Sequence, residues 1–342
     1  MEDLDFVLQQ MSMLRELEGK SVLLTGATGL IGSAVADLLL RLGERLQHPV
    51  KLYVAVRDTA GARARFSRYV ESAYLHFVPY DASKINTFDF HADYIIHAAS
   101  NAAPADFQAR PVETMLDNFQ GLHELLVYAL ETGAEAVLFV SSSEVYGQKN
   151  TVEPYHETEY GYVDILSVHS AYASSKRAAE TLCACFAEEH GLRTVIARPG
   201  HIYGPTARRR DNRVSSAFAF AAADGRELVL KSDGAQVRSY CYMLDAATAI
   251  LTVLFRGEAA NAYNISNPQA IISIRQMAEL LAGEAQVGTS FAQPTESEKK
   301  AFNPMQNSSL DSSKLQALGW QGLFDAQSGF AHTVRVIREA DI

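Results

Sequence analysis

Tyr172 and Lys176 stand four residues apart in Ser170-Ala171-Tyr172-Ala173-Ser174-Ser175-Lys176, inside a run that reads as a helix from about Ser170 to His190. That spacing puts a phenol and an ammonium on one helix face. An ammonium beside a phenol favours the phenolate, which predicts a tyrosine pKa below its reference of about 10. Such a tyrosine can take or give a proton near neutral pH. Ser142 lies upstream, where an apolar run Val137-Leu138-Phe139-Val140 ends in Ser141-Ser142-Ser143. Its hydroxyl could hold a substrate oxygen and guide the proton. Taken alone, the Tyr–Lys pair would equally suit a helix surface. The rest of the chain decides.

The deciding stretch is Thr25-Gly26-Ala27-Thr28-Gly29-Leu30-Ile31-Gly32. It follows a short apolar run, Ser21 to Leu24, that reads as a buried strand, and precedes an Ala- and Leu-rich run, Ser33 to Leu42, that reads as a helix. Three glycines at a strand-to-helix turn are the context in which a glycine pattern binds a dinucleotide. Gly26 permits the tight turn. Gly29 has no Cβ, so a pyrophosphate can approach the backbone. Gly32 lets the helix pack close to the strand. The helix N-terminus offers free N–H groups and a partial positive charge to phosphates. A nicotinamide ring carrying positive charge would lower the Tyr172 pKa further.

The elements that must position these groups alternate. Predicted strands lie at 50–56, 75–78, 94–97, 137–140 and 194–197, with helices at about 112–131 and 170–190. Alternation of this kind implies βαβ units and a parallel sheet, with right-handed crossovers and ligands at the carboxyl ends of the strands. Past Arg198 the alternation breaks and the elements shorten, so a smaller lobe is expected over the sheet. Ser239 to Phe255 reads as a strand and helix returning to the first lobe. Residues 1–20 carry Phe6, Val7, Met11, Leu14 and Leu17 at roughly helical spacing and read as a leading helix packed on the body.

A chain of 342 residues with 48% hydrophobic and 20% charged residues has the composition of a soluble enzyme. Its net charge of −10 argues against nucleic acid as a partner. The one basic cluster, Arg208-Arg209-Arg210 with Arg213, reads as a solvated loop. Cys183, Cys185 and Cys241 lack metal-ligand spacing and suit a reducing compartment, so no metal is expected. The acidic N-terminus has no signal-peptide pattern and no apolar run approaches a membrane span. The expected location is the cytoplasm.

With these residues in place, the chain resembles the extended short-chain dehydrogenase/reductases, in particular the nucleotide-sugar epimerases, dehydratases and decarboxylases. TGATGLIG is similar to their TGxxGxxG turn. His97-Ala98-Ala99-Ser100 resembles their fourth-strand motif, and Asn118 with Gly121 their helix motif. Ser141-Ser142-Ser143-Glu144-Val145-Tyr146-Gly147 resembles SSSEVYG, and Tyr172 with Lys176 matches YxxxK. Arg198-Pro199-Gly200-His201-Ile202-Tyr203-Gly204-Pro205 resembles RPxNxYGP, and Arg238 to Asp245 resembles RxxxYVxD. Tyr263 to Ser266 and Leu318-Gly319-Trp320 are similar to late-chain motifs.

The resemblance implies an α/β fold with a Rossmann-type doubly wound parallel sheet and a smaller C-terminal substrate-binding lobe. Its expected boundaries are an extension at 1–20, a dinucleotide-binding lobe at 21–198 that returns at about 236–256, and a substrate-binding lobe at 199–235 and 257–342. It implies catalysis by Ser142, Tyr172 and Lys176 through transient oxidation at C4 of a hexose, with Glu144 as a further acid. Cofactor contacts are expected from Gly26, Thr28, Gly29, Leu30, Ile31, Gly32, Arg57, Asp58, Asp81, Ala98, Ala99, Ser100, Asn118, Tyr172 and Lys176. Substrate contacts are expected from Ser143, His201, Arg213 and Arg238. A homodimer through paired helices is implied too. The apolar face with Met115, Leu122, Leu125 and Leu126 suits it, and suits core packing equally.

Three departures matter. Ser143-Glu144 stands where the 4,6-dehydratases carry Asp-Glu, so the pair is closer to uronate decarboxylases, while a 4-epimerase needs neither acid. Glu144 could otherwise be a strand-end carboxylate satisfied by backbone N–H groups. His201 replaces the usual Asn near the diphosphate, where it could donate a hydrogen bond; Arg238 suits the diphosphate through its guanidinium fork. At the end of the second strand stands Arg57, followed by Asp58. Asp58 could accept ribose hydroxyls and select NAD, whereas Arg57 could neutralise a 2′-phosphate and select NADP. Asp81 resembles an adenine-contacting acid and would also serve as a helix cap. The expected enzyme is a UDP-sugar 4-epimerase or UDP-glucuronate decarboxylase with bound NAD. An NADPH-dependent ketoreductase is the alternative. A non-catalytic dinucleotide sensor is a third, although such proteins often lack the catalytic Tyr.

Overall fold

Aliphatic runs of four to six residues are too short to bury a helical stripe, but they fill strands covered on both faces. In the computed structural model, which describes residues 1–100, 108–149, 152–295 and 305–340, such runs form β1 (Ser21–Thr25), β2 (Lys51–Val56), β3 (Leu75–Pro79), β4 (Tyr94–His97), β5 (Ala136–Val140) and β6 (Thr194–Pro199). The helical patterns form α1 (Glu2–Gln10), α2 (Leu30–Gly43), α3 (Thr59–Arg65), α4 (Pro111–Thr132) and α5 (Ala171–His190). Beyond β6 follow β7 (His201–Tyr203), α6 (Val214–Ala223), β8 (Leu228–Leu230), β9 (Val237–Tyr242), α7 (Met243–Arg256) and β10 (Asn261–Ile265). The chain closes with β11 (Ile271–Ser273), α8 (Ile274–Ala285), β12 (Thr289–Phe291), α9 (Ser313–Gln316) and α10 (Ala326–Glu339).

Seven strands form one sheet in the order β10-β6-β5-β4-β1-β2-β3, and all of its pairs are parallel. The order reverses between β1 and β4, so the loops leaving these two strands part and open a crevice at their carboxyl ends. Helices α2 and α7 pack together on one face, and α4 and α5 on the other. The fold is the expected Rossmann-like α/β sheet. Helices α6, α8 and α10 pack on one another in the later part of the chain. Among the described residues no helix is long and apolar enough to cross a membrane.

Three details differ from the sequence expectation. The leading helix is broken at Met11, whose backbone (φ −107°, ψ 60°) leaves the helical region before a 3₁₀ turn at Ser12–Leu17. The break lets both halves turn apolar residues inward, since Val7, Leu14 and Leu17 are fully buried. Of the returning strand and helix, α7 packs against the large sheet, while β9 pairs with β7 and β11 in a separate three-stranded sheet. Residues 261–265, assigned from sequence to the smaller lobe, instead form β10, the edge strand beside β6. The strand is only five residues long and follows the longer apolar helix α7, so the resumed alternation is faint in sequence.

A buried ion pair stiffens the sheet next to the crevice. Arg198, at 2% exposure, reaches both oxygens of Glu180 on α5, the closest contact being 2.6 Å. Its other donors meet the Tyr146 hydroxyl at 3.0 Å, the Glu157 carbonyl at 2.9 Å and the Tyr160 hydroxyl at 3.1 Å. Ser141 donates to the same Glu180 carboxylate at 2.5 Å. Removing one partner leaves a buried charge uncompensated. Arg198→Met is therefore expected to lower unfolding stability by about 3–5 kcal/mol, read by urea denaturation. A loss within experimental error would contradict this role.

Candidate active site

The turn after β1 is built by steric necessity. Gly26 has φ +70°, and a Cβ there would lie 2.5 Å from the Ala98 carbonyl oxygen. A Cβ on Gly32 would lie 2.2 Å from the Gly26 carbonyl oxygen. The two glycines thus seat β1 against the loop after β4 and the first turn of α2 against β1. Gly29 caps α2 without a side chain, so α2 begins three residues before its expected start and its first turn lies inside the glycine motif. Thr25 fixes the neighbouring loop: its hydroxyl accepts the Ala99 N–H at 3.2 Å and pairs with His97 Nδ1 at 2.8 Å.

A cleft of about 550 Å³ opens here, lined by Gly26, Thr28, Gly29 and Leu30 on one side and Ala98, Ala99 and Ser100 on the other. That volume lies within the usual range for small-molecule sites. The free N–H groups of the first turn of α2 and the backbone surface left bare by Gly29 suit a pyrophosphate. These residues fit a dinucleotide. Ile31 packs into the core and Gly32 against the turn, so both shape the cleft from behind.

Tyr172 and Lys176 occupy the buried face of the first turns of α5. Ser142 and Ser100 lie close enough to the Tyr172 phenol for their hydroxyls to favour its ionised form. Ser100 also lines the cleft, so it joins the phenol to it. Lys176 donates to the Val140 carbonyl at 2.9 Å and sits 4.5 Å from the Phe139 ring centroid. Burial pulls its ammonium down to about 7, with the Glu180 carboxylate opposing. The phenol departs from the sequence expectation. Burial pushes it up to about 12 against the pull of the Ser142 and Ser100 hydroxyls, and the Glu144 charge adds to the rise. The physical reason is that Lys176 is itself desolvated and its ammonium is turned to the Val140 carbonyl and the Phe139 ring.

Asn118 is buried and its amide is fully engaged. It accepts from Ser100 at 2.8 Å and donates to the Thr114 carbonyl at 2.9 Å and to Ser175 at 3.1 Å. It braces Ser100 and α5 from behind the cleft. Asp58 lines the cleft as well, with Oδ1 accepting the Gly61 N–H at 2.9 Å as the cap of α3. Asp81 accepts from the Ser83 N–H and hydroxyl and pairs with Lys84 at 3.4 Å. Arg57 is exposed on the cleft wall.

Beyond the phenol lie the groups expected to meet substrate. Ser142 accepts the Glu144 N–H at 3.2 Å, opening a 3₁₀ turn at Ser143–Tyr146. Glu144 keeps solvent access, yet protein surrounds its carboxyl closely enough for desolvation to raise its pKa, with Arg238 opposing. No backbone N–H among the described residues satisfies that carboxylate, so the strand-end alternative finds no support. Arg238 is 4% exposed and donates to the Val237 and Met305 carbonyls at 2.8 and 3.1 Å. Burial lowers its pKa, and it makes no ion pair within hydrogen-bonding reach among the described residues. His201 is held neutral, its pKa lowered to about 3 by burial and by the charges of Arg238 and Arg213. Its Nδ1 is buried without a partner. Its charge therefore does not follow pH in the physiological range. Arg213 lines the cleft, pairs with Asp211 at 2.5 Å, and its charge acts on the Tyr172 phenol.

Sequence reasoning missed the path of residues 206–213. Thr206 donates to the Leu30 carbonyl at 3.2 Å, tying this segment to the first turn of α2. Arg208 and Arg210, read from sequence as part of a solvated loop, line the cleft, while Arg209 turns away to Asp224. Their position after β7, next to Gly204-Pro205, was the available signal.

A family model described as "NAD dependent epimerase/dehydratase family" matches residues 22–266. UDP-glucuronic acid decarboxylase 6 of Arabidopsis thaliana is 32% identical over 247 residues, covering 72% of this chain and 69% of the relative. UDP-glucuronic acid decarboxylase 1 of Xenopus tropicalis is 27% identical over 330 residues, covering 95% and 74%. Among solved structures, a Thermus thermophilus UDP-glucose 4-epimerase in complex with NAD aligns with TM-score 0.78 at 26% identity, covering 94% of this chain and 99% of that one. The Thermotoga maritima UDP-glucose 4-epimerase aligns with TM-score 0.80 at 24% identity, covering 94% and 100%, a likeness of fold.

The depressed Lys176 pKa has a definite sign. Between about 7 and the ordinary lysine value the folded protein binds fewer protons than the unfolded chain, so Lys176 makes stability rise with pH through that window. Wild type is expected to gain stability relative to Lys176→Met as pH rises from about 7 to 10, measured by urea unfolding at each pH. Parallel profiles would contradict the burial argument. Gly26→Ala is expected to cost roughly 1–3 kcal/mol through its positive φ alone, with the Ala98 clash adding to it; a thermal melt like that of wild type would refute the required close approach.

Proposed function

The chain belongs to the NAD dependent epimerase/dehydratase family, and we propose that it is a nucleotide-sugar enzyme of the UDP-glucuronate decarboxylase type, acting through transient oxidation at C4. The observation that carries this reading is the convergence of Ser142 and Ser100 on the Tyr172 phenol at the edge of a glycine-walled cleft. The names of the relatives and the Ser143-Glu144 pair favour a uronate over a simple hexose.

A bound nicotinamide dinucleotide would accept a hydride from C4 and later return it. This chain's residues do the rest. Tyr172 Oη takes the proton of the C4 hydroxyl as that carbon is oxidised and gives it back on reduction. The Ser142 hydroxyl holds the same sugar oxygen and favours the phenolate. Lys176 Nζ lies 5.7 Å from the phenol ring centroid, where its protonated form favours the phenolate. A ketone at C4 makes the sugar carboxylate a β-keto acid, which loses carbon dioxide with the electrons of the broken C5–C6 bond passing to the C4 oxygen; the resulting enolate takes a proton from water at C5, restoring the ketone that is then reduced. Arg238 and Arg213 bind the diphosphate. Glu144 is assigned as the further acid of this reaction, with Arg238 offsetting its charge.

A homodimer is part of the reading. Val112, Met115, Leu116 and Phe119 form an exposed stripe on α4 at i, i+3, i+4 and i+7. Of the residues first suggested for that face, Leu122, Leu125 and Leu126 are buried within the lobe, and Met115 alone is exposed. Met115→Lys is expected to shift sedimentation toward the monomer; an unchanged dimer would remove this face from the interface.

The second reading, a net NADPH-dependent reduction of a ketone, is favoured by Arg57 on the cleft wall. The protein supplied with UDP-glucuronate and no reductant is expected to yield a UDP-pentose and carbon dioxide, detected by mass spectrometry. Tyr172→Phe is expected to slow this by roughly 10²–10⁴-fold. Consumption of NADPH with a ketone, and no conversion of any UDP-sugar, would replace the first reading by the second.

A further inference from the structure

We infer that Arg177 is a positioning residue for the proposed reaction, its guanidinium clamping the turn that carries Ser142 and Glu144 to the helix that carries Tyr172. The inference rests on the reading of this site as one that oxidises a sugar at C4. It deepens that reading by naming the residue that holds the two halves of the site together.

Ser142 opens a single 3₁₀ turn at Ser143–Tyr146. Ser142 holds the first end of this turn itself, since its Oγ accepts the Glu144 N–H at 3.2 Å. The last end is different, because a helical turn leaves its final carbonyls without partners inside the turn. Val145 and Tyr146 are buried, so those carbonyls need partners from the protein. Arg177 supplies them. Its Nε donates to the Val145 carbonyl at 2.6 Å and its Nη2 to the Tyr146 carbonyl at 3.2 Å. The same Nη2 donates to the Gly161 carbonyl at 3.0 Å. Gly161 closes the arrangement by donating its N–H to the Tyr146 carbonyl at 2.7 Å. Among the described residues every hydrogen bond of Arg177 goes to a carbonyl and none to a carboxylate. A cation at the carboxyl end of a turn is also favoured by the aligned peptide dipoles.

Arg177 lies on α5, one residue past Lys176 and five past Tyr172. A guanidinium presents its donors in one rigid plane, so carbonyls bound to it are fixed relative to one another. The turn cannot rotate without breaking the Arg177 bonds at one end or the Ser142 bond at the other. The chemistry depends on that restraint, because both ends of the turn act on the phenol. The Ser142 hydroxyl favours the phenolate, and the Glu144 charge opposes it. Because Ser142 Oγ already accepts the Glu144 N–H, its own O–H remains available to the phenol or to a sugar oxygen. The clamp also reaches the buried ion pair, since the Tyr160 ring centroid lies 6.0 Å from Arg177 Cζ and 5.5 Å from Arg198 Cζ.

The test compares wild type, Arg177→Met and Arg177→Lys as full chains. It measures UDP-glucuronate turnover, NAD⁺ affinity by calorimetry, and amide hydrogen exchange by mass spectrometry. Arg177→Met is expected to lower kcat by roughly tenfold to a hundredfold, the scale on which a small misplacement of reacting groups slows a reaction, with KM and NAD⁺ affinity little changed. Arg177→Lys keeps the charge without the planar fork, and its kcat is expected to fall between the other two. Exchange is expected to quicken across residues 144–148 in Arg177→Met and to keep the wild-type rate in the later turns of α5. An unchanged kcat in both variants overturns the inference and leaves the proposed function standing. A fall in kcat that KM and NAD⁺ affinity share in proportion, or exchange that quickens throughout α5, does the same, since either marks a merely structural role. Wild-type protein that binds NAD⁺ but does not convert UDP-glucuronate overturns the proposed function, and the inference with it.

Discussion

Desolvation of the Tyr172 phenol is the condition on which the site depends. Burial, with the Glu144 charge adding to it, holds the phenol protonated, and burial makes the Lys176 ammonium easier to discharge. The pair therefore rests near neutrality with little charge of its own. Ser142 and Ser100 pull the phenol toward ionisation, and both reach it because β4 and β5 end side by side at the crevice. A phenol in this state responds strongly to any positive charge brought next to it, because the surrounding medium screens so little. The proton chemistry is thus tied to what occupies the cleft.

The rest of the fold serves that arrangement. Gly26 and Gly32 let three pieces of backbone approach more closely than any side chain allows. Asn118 holds Ser100 from below and joins it to Ser175 on the helix that carries Tyr172. The Arg198–Glu180 pair ties the same helix to β6 one turn beyond Lys176. Together these contacts hold the strand ends and the start of α5 in fixed relation, the kind of positioning that catalysis requires.

What the sequence made legible was local. A glycine turn between strand and helix is a constraint of a few consecutive residues, and a four-residue spacing on a helix fixes a shared face, so both could be read directly. The roles of Asp58 and Asp81 were harder, because an acid at a strand end can cap the next turn or face a ligand, and the choice depends on backbone geometry two or three residues away. The course of Arg208 and Arg210 across the cleft depends on where β7 emerges over the sheet, a tertiary fact with no local signature. The leucines of α4 satisfied core and interface patterns alike until their burial separated them. The rise in the Tyr172 pKa was also out of reach, since it follows from burial of the whole cluster rather than from the neighbour at four residues.

The most direct measurement of the central claim uses UDP-glucuronate carrying deuterium at C4. If the carbon next to the Tyr172-held oxygen is oxidised and then reduced by the same bound cofactor, the reaction shows a primary isotope effect and the UDP-pentose retains deuterium at C4. A reaction that forms product with no isotope effect, or with the C4 label exchanged into water, would contradict the account.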